Sequence, residues 1–252
     1  KRILIYTNHF FPENFKVNEI AHLLSEEGND VHVVTGIPNY PSGRIFTGYG
    51  LFKNSYEKKS DFLTIRRLPL IPRGNGSKIR LILNYSSYFL STLIYTFYLI
   101  LIKKKYDLIF VHHTSPVLIT IAPIFYKWAR KSKMFLCDLD MWPDTLKAIG
   151  IIKSEKLIQY LELGMKWIYS NYDQILLGSE GFLEKAKVRV PKSRIHYFPN
   201  WAEPHFISST SKFNGKEFNF SKSFTVSYAG NVGEAQDFIS VYKAMVSLKN
   251  YD

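Results

Sequence analysis

The residues of this chain best suited to chemistry lie in Cys137-Asp138-Leu139-Asp140-Met141-Trp142-Pro143-Asp144. Asp138 and Asp140 are one residue apart, and on an extended strand such a pair points the same way. That would allow a divalent cation to be held between the two carboxylates and a diphosphate. The pattern is common, and its position says more. It follows an apolar run, at the carboxyl edge where α/β proteins place their ligands. A carboxylate and an indole there suit a sugar, the carboxylate accepting hydroxyl hydrogen bonds and the ring stacking on a sugar face. Asp140 is the candidate for that chemistry. Asp144 reads instead as the N-cap of the next helix.

His112-His113-Thr114-Ser115 marks the same edge of the preceding strand. Adjacent side chains alternate in direction, so one histidine is expected to face the cleft and the other to pack. His113 is the candidate for orienting a donor or an acceptor. No third ligand stands at zinc spacing, and no metal is expected. Ser115-Pro116 reads as a helix start. Gly178-Ser179-Glu180-Gly181 has the wrong glycine spacing for a nucleophile elbow, and Ser179 is better placed as an N-cap.

The turn Thr7-Asn8-His9-Phe10-Phe11-Pro12-Glu13-Asn14-Phe15 contains no glycine. A dinucleotide-binding turn needs glycine so that backbone can approach the pyrophosphate, which argues against a nicotinamide or flavin dehydrogenase. The N–H groups opening the next helix could face an anion or simply be capped. A second small-residue turn, Tyr228-Ala229-Gly230-Asn231-Val232-Gly233-Glu234-Ala235-Gln236-Asp237, lies between a strand and a helix, where a phosphate can reach backbone donors.

Positioning these groups requires alternating strands and helices. Short apolar runs predict strands at 3–7, 31–34, 62–68, 108–111, 134–137, 174–177 and 194–198, seven in all. Helical spacing covers 17–27, closed by Gly28, and then 79–105, 117–131, 154–171 and 180–188. The class is therefore α/β, a Rossmann-like, mainly parallel sheet with helices on both faces. The polar stretch 208–223 reads as a linker or surface loop. A new strand at 224–228 and a helix from about Asp237 then begin another α/β unit.

Residues 81–102 contain no charge and would span roughly 30 Å as a helix, enough for a bilayer. A crossing there would separate two strands of one sheet. The segment is read as a crossover helix whose exposed aromatic face, ending at Lys103-Lys104-Lys105, is within reach of a membrane interface.

Lysine and arginine number 33 against 21 acidic residues, a net charge of +12 that favours an anionic partner. No zinc finger, RNA-recognition signature or basic zipper accompanies it, so nucleic acid is not the expected partner. A single cysteine excludes a disulfide framework and fits a reducing compartment. The chain opens on a strand-like run, so no signal peptide is expected.

Four stretches in register resemble glycosyltransferase family 4, and most closely its bacterial O-antigen and capsule members of the L-fucosamine transferase type. They are Gly36-Ile37-Pro38-Asn39-Tyr40-Pro41-Ser42-Gly43, Asp140-Met141-Trp142-Pro143-Asp144, Phe198-Pro199-Asn200-Trp201 and Ala229-Gly230-Asn231-Val232-Gly233-Glu234-Ala235-Gln236. The resemblance implies the GT-B fold, two Rossmann-like domains facing across a cleft, and transfer with retained anomeric configuration, usually without a metal. It divides the chain into an acceptor-side domain at 1–206, a linker at 207–222 and the start of a donor-binding domain at 223–252. Asp140 and His113 are then the catalytic candidates, and Gly230, Asn231, Gly233 and Gln236 face the donor. Asn14, Phe15, Asn39, Tyr40 and Trp142 line the acceptor cleft. The implied partners are a nucleotide-sugar donor, UDP-linked in the first instance, and a lipid-linked or oligosaccharide acceptor. No cofactor is implied. The resemblance makes the cation reading of Asp138 and Asp140 less apt, since that motif belongs to the other sugar-transferase fold. It also departs at two points. Asn231 and Gln236 stand where many members carry Arg and Lys, and the family's pair of donor-side glutamates has no counterpart here. The expected setting is the cytoplasm, with the inner membrane face open as a docking surface. The competing reading is a non-catalytic basic module for anionic polymers or membranes.

Overall fold

The computed structural model describes residues 1–148, 150–202, 226–230 and 237–248. One mixed sheet of eight strands organises the molecule, in the order β3-β4-β2-β1-β5-β6-β7-β8. The strands are β1 (Arg2–Thr7), β2 (Asp30–Gly36), β3 (Tyr56–Lys58), β4 (Leu63–Leu68), β5 (Leu108–His113), β6 (Lys133–Asp138), β7 (Gln174–Leu177) and β8 (Ile195–Tyr197). All pairings are parallel except β3 on β4. The α/β class is as expected, and the seven expected strands become eight. The addition, β3, is a three-residue edge strand, too short and too polar to show as an apolar run.

The helices are α1 (Lys16–Glu26), α2 (Lys78–Leu101), α3 (Ala122–Arg130), α4 (Asp144–Ala148), α5 (Glu155–Asn171), α6 (Leu183–Arg189) and α7 (Phe238–Leu248). The helix expected at 117–131 divides into a 3₁₀ turn, Val117–Thr120, and α3. Pro123 has no N–H to donate and is tolerated only in the first turn of a helix, so α3 cannot begin much earlier. The helix expected to reach residue 105 stops at Leu101, and Lys103 takes a positive φ of 55°. The stretch expected at 180–188 likewise opens as a 3₁₀ turn, Glu180–Phe182. Of the strand expected at 224–228, the described residues 226–228 form none, while the helix expected near Asp237 is present as α7. The linker at 207–222 lies outside the described residues.

Burial on both faces explains the apolar strands. On one face Leu4, Tyr6, Ile109 and Leu136 pack with residues of α2, α3, α5 and α6. On the other, Ile3, Ile5, Val31 and Val33 meet α1, and Phe198 and Trp201 pack against that cluster. The strand order reverses at β1, which is flanked by β2 on one side and β5 on the other. Such a reversal opens a crevice at the carboxyl ends of the two central strands, where open α/β sheets take their ligands.

Candidate active site

Three loops meet on the β1–β2–β4 side of this crevice. The β1–α1 turn buries His9 and Glu13, with His9 Nδ1 2.8 Å from Glu13 Oε2. The other carboxylate oxygen, Oε1, accepts the backbone N–H groups of Asn39 at 2.7 Å and Tyr40 at 2.6 Å. Asn39 is 2% exposed. Its Nδ2 donates to the Ile37 carbonyl and its Oδ1 accepts from the Arg73 amide. The side chain expected in the cleft therefore ties loops together. Tyr40 remains half-exposed, with its ring 5.2 Å from His9 and 5.5 Å from Phe15. The Arg73 guanidinium lies 5.1 Å from the Tyr40 ring. Gly43 and Gly74 bring the second and third loops into backbone contact: a Cβ on Gly43 would stand 1.8 Å from the Gly74 carbonyl oxygen.

Phe15 also stacks on His9 at 4.6 Å, and Asn14 is exposed. Both line a groove of about 440 Å³ between α1 and β4, walled by Phe10, Phe11, Leu63 and Ile65. Leu63 and Ile65 form its floor and are themselves buried, at 4% and 0% exposure, in the cluster that α1 packs on.

On the β5–β6 side, His112 and His113 are both buried, at 1% and 0% exposure, so neither faces the cleft as expected. The parallel neighbours β1 and β6 enclose the end of β5 on both sides, which turns the strand's alternation into two buried positions. Burial, with His113 and His9 nearby, pulls His112 down to about 3, so its imidazole is neutral. His113 Nδ1 stands 2.7 Å from Asp138 Oδ1. Asp138 is fully buried, and its Oδ2 accepts the Tyr169 hydroxyl at 2.5 Å while Oδ1 accepts the Asp140 N–H at 3.2 Å. His113 Nε2 is buried with no hydrogen-bond partner among the described residues. Asp138 and Asp140 thus differ in role. The first is satisfied inside the protein and the second is half-exposed at the edge. Among the described residues, no group of three His, Cys, Asp or Glu could hold a metal ion.

Trp142 joins the two strand ends. Its Nε1 lies 3.2 Å from Ser115 Oγ and 3.1 Å from Asp140 Oδ2. Ser115-Pro116 opens the 3₁₀ turn rather than an α-helix. Behind Trp142, Arg189 donates to its carbonyl and to both oxygens of Glu162, the latter at 2.8 Å. Asp144 opens α4 and pairs with Lys185 at 3.3 Å. Asn8 Nδ2 donates to the Ser115 carbonyl, linking the ends of β1 and β5 across the strand reversal. Asn8 Oδ1 and Thr114 Oγ1 are buried there with no hydrogen-bond partner among the described residues.

The structure brings Phe15, Asn39 and Tyr40 into one cluster and Asp140 with Trp142 into another, and places His113 behind the second. Gly230 is exposed, and Asn231, Gly233 and Gln236 lie outside the described residues. Sequence reasoning passed over Glu13, Arg73 and Asn8. Glu13 carried a signal, a lone carboxylate among Phe10, Phe11, Pro12 and Phe15, but its two amide partners come from a distant loop.

No family model matches the chain. The chain is 22% identical over 264 residues to an Escherichia coli (strain K12) protein named "Putative colanic acid biosynthesis glycosyl transferase WcaI", covering 99% of this chain. Along nearly all its length it is similar to a glycosyl transferase. It spans 63% of the length of WcaI, the curated relative it matches. Among solved structures, it is similar to sucrose-phosphate synthase from Thermosynechococcus elongatus, with a TM-score of 0.49, 13% identity, and coverage of 98% of this chain and 99% of that one. It is also similar to an E. coli trehalose-6-phosphate chain bound with UDP-2-fluoro glucose, with a TM-score of 0.49, 12% identity, and coverage of 99% and 55%.

Proposed function

We propose that this chain is the acceptor-side part of a retaining GT-B sugar transferase of family 4, working in the assembly of a surface polysaccharide. The observation that carries this reading is the match to WcaI along 99% of the chain. The crevice at the strand reversal supports it, since a half-exposed carboxylate and indole sit there together. The donor is a UDP-linked sugar, N-acetylated or deoxy, and the acceptor is a hydroxyl of a polyprenyl-diphosphate-linked saccharide. The bond from the sugar's anomeric carbon to the nucleotide diphosphate breaks, and a bond from that carbon to the acceptor oxygen forms. The diphosphate leaves with the electron pair and takes up the acceptor proton.

Asp140 stands beside the reacting sugar and stabilises the positive charge that develops on it. Trp142 gives the sugar a flat face, and Tyr40 and Phe15 form the opposite wall. His113 acts through Asp138 on the position of the Asp140 backbone. The domain limits at about 206 and 223 belong to this reading, as do the donor-side roles of Gly230, Asn231, Gly233 and Gln236.

The test is transfer of labelled sugar from UDP-sugars to a polyprenyl-linked acceptor, with the whole enzyme and its Asp140→Asn variant. The variant should lose turnover by about a hundredfold or more, the magnitude associated with a lost electrostatic contact at the transition state. Unchanged turnover removes Asp140 from the mechanism. Tight binding of nucleic acid, with no transfer by the whole enzyme, would favour the basic-module reading.

A further inference from the structure

The amphipathicity of α2 is inverted. Its buried residues are Asn84, Tyr88, Thr92, Thr96 and Leu99, four of them carrying polar groups. The polar atoms are spent inside: Tyr6 bonds Thr96, Tyr88 bonds the Thr7 carbonyl, and Asn84 bonds the Ile71 carbonyl. The exposed side is the apolar one, with Ile79 72%, Ile82 62%, Leu90 55%, Ile94 70% and Leu101 79% exposed. A helix facing only water is built the other way round. The stripe also continues beyond α2. Phe97 lies 5.7 Å from Phe125 of α3, Phe125 lies 5.6 Å from Trp128, and Trp128 lies 6.1 Å from Trp167 of α5. Trp128 and Trp167 are 54% and 43% exposed, and Tyr160, two turns before Trp167, is 72% exposed. Three helices thus share one aromatic and aliphatic surface on the same face of the sheet.

Charge decides what covers this surface. Neither α2 nor α3 contains an aspartate or glutamate. Lys78 and Arg80 stand at the start of α2, and Lys103, Lys104 and Lys105 follow its end, all exposed. Two such faces brought together would set cation against cation, which disfavours a second copy of the chain. An anionic lipid surface instead meets the apolar stripe with its acyl boundary and the flanking cations with its headgroups. Tryptophan and tyrosine are the side chains that settle at that boundary. Beside the stripe, a groove of about 550 Å³ between α2 and β4 holds Arg66, whose Nε has no hydrogen-bond partner among the described residues and whose guanidinium lies 5.8 Å from the Tyr95 ring. Among the described residues no helix is long and apolar enough to cross a membrane, so contact is along the surface.

We infer that the α2–α3–α5 face is a docking surface for an anionic lipid bilayer, with α2 lying flat in the interface. Its first turn is at the carboxyl edge of the sheet, so this pose holds the crevice at the level of the headgroups. The inference rests on exposure and charge and stands apart from the sugar-transfer reading.

The test is flotation of the 252-residue chain with vesicles of phosphatidylcholine alone and with equal parts phosphatidylcholine and phosphatidylglycerol, the latter also prepared with brominated acyl chains. The chain should float with the mixed vesicles, release in high salt, and show quenched tryptophan emission. The double variant Trp128→Phe, Trp167→Phe should float as well and lose the quenching. Ile94→Glu, at an exposed position that leaves the fold intact, should lower partitioning by about tenfold, the factor set by keeping one large aliphatic side chain out of the interface. Failure to float with mixed vesicles overturns the inference. So does quenching that survives the double tryptophan variant, an Ile94→Glu chain that floats normally, or self-association abolished by Ile94→Glu without flotation.

Discussion

Asp138 and Asp140 share a strand end yet do opposite work. Asp138 takes hydrogen bonds from His113, Tyr169 and the Asp140 amide in a site closed to water. Replacing it by Asn leaves His113 and Tyr169 with a neutral, half-mismatched partner. Asp138→Asn should therefore cost about 3 kcal/mol in urea unfolding with little change in m, a typical loss for one broken buried pair. Asp140→Asn, at a half-exposed position, should stay within about 1 kcal/mol of the parent in the same measurement. Glu162 gives a pH signature. Burial pushes its carboxyl up, but the hydrogen bond and charge of Arg189 and then Lys185 outweigh this and hold it below the usual value of 4.5. A depressed folded value means that its contribution is present above the unfolded value and is lost as pH falls through the folded one. Thermal unfolding of Glu162→Gln should therefore differ from the parent at neutral pH, and the two curves should converge as pH drops below 4.5.

At the scale of elements, the loop 36–43 is held by contacts that act together. Glu13 accepts two of its amides, Arg73 donates its backbone N–H to Asn39, and Gly74 donates its N–H to the Gly43 carbonyl at 2.9 Å. Gly43 has φ +73° and no room for a Cβ against Gly74. Gly43→Ala should cost about 1–3 kcal/mol, the usual size of a strained backbone position, and should part the second and third loops. The checkable sign is faster amide exchange at Asn39, Tyr40 and Gly74 with the sheet unchanged. The same loops carry Tyr40 and Arg73, so loosening them should also blur any acceptor site on that side.

For the whole molecule, the question is how much of a donor site the chain holds. The residues assigned to the donor by resemblance are Gly230, Asn231, Gly233 and Gln236, a set that offers no more than a few N–H donors. Such a set is worth about 1–3 kcal/mol, which corresponds to millimolar binding or weaker. Calorimetric titration of the 252-residue chain with UDP and UDP-sugars should give no more than that. Micromolar binding would move the donor site onto the eight-stranded sheet and reverse the assignment of the two halves.

The sequence by itself determined the class, the parallel strands and their crossover helices, because strands buried on both faces must be written as apolar runs and those runs are local. Strands β1, β2 and β4 to β7 were legible for that reason, and β3 was not, since a short polar edge strand carries no apolar run; β8, at the other edge, showed only in the Ile195, Tyr197 and Phe198 of a mostly exposed stretch. The sequence also singled out Asp140 and Trp142, whose residue types suit a sugar wherever a sheet edge presents them, while Tyr40 and Phe15 came from the family resemblance. Only the tertiary structure decided which polar side chains reach that edge. Asn39 and His113 are spent inside, because partners distant in the chain, Glu13 with Arg73 and Asp138, arrive there through the strand order. It also decided that α2 turns its threonines, Asn84 and Tyr88 inward with Leu99, and Ile79, Ile82, Leu90, Ile94 and Leu101 outward. Composition cannot show such an inversion, because a helix has the same residues whichever face the sheet selects.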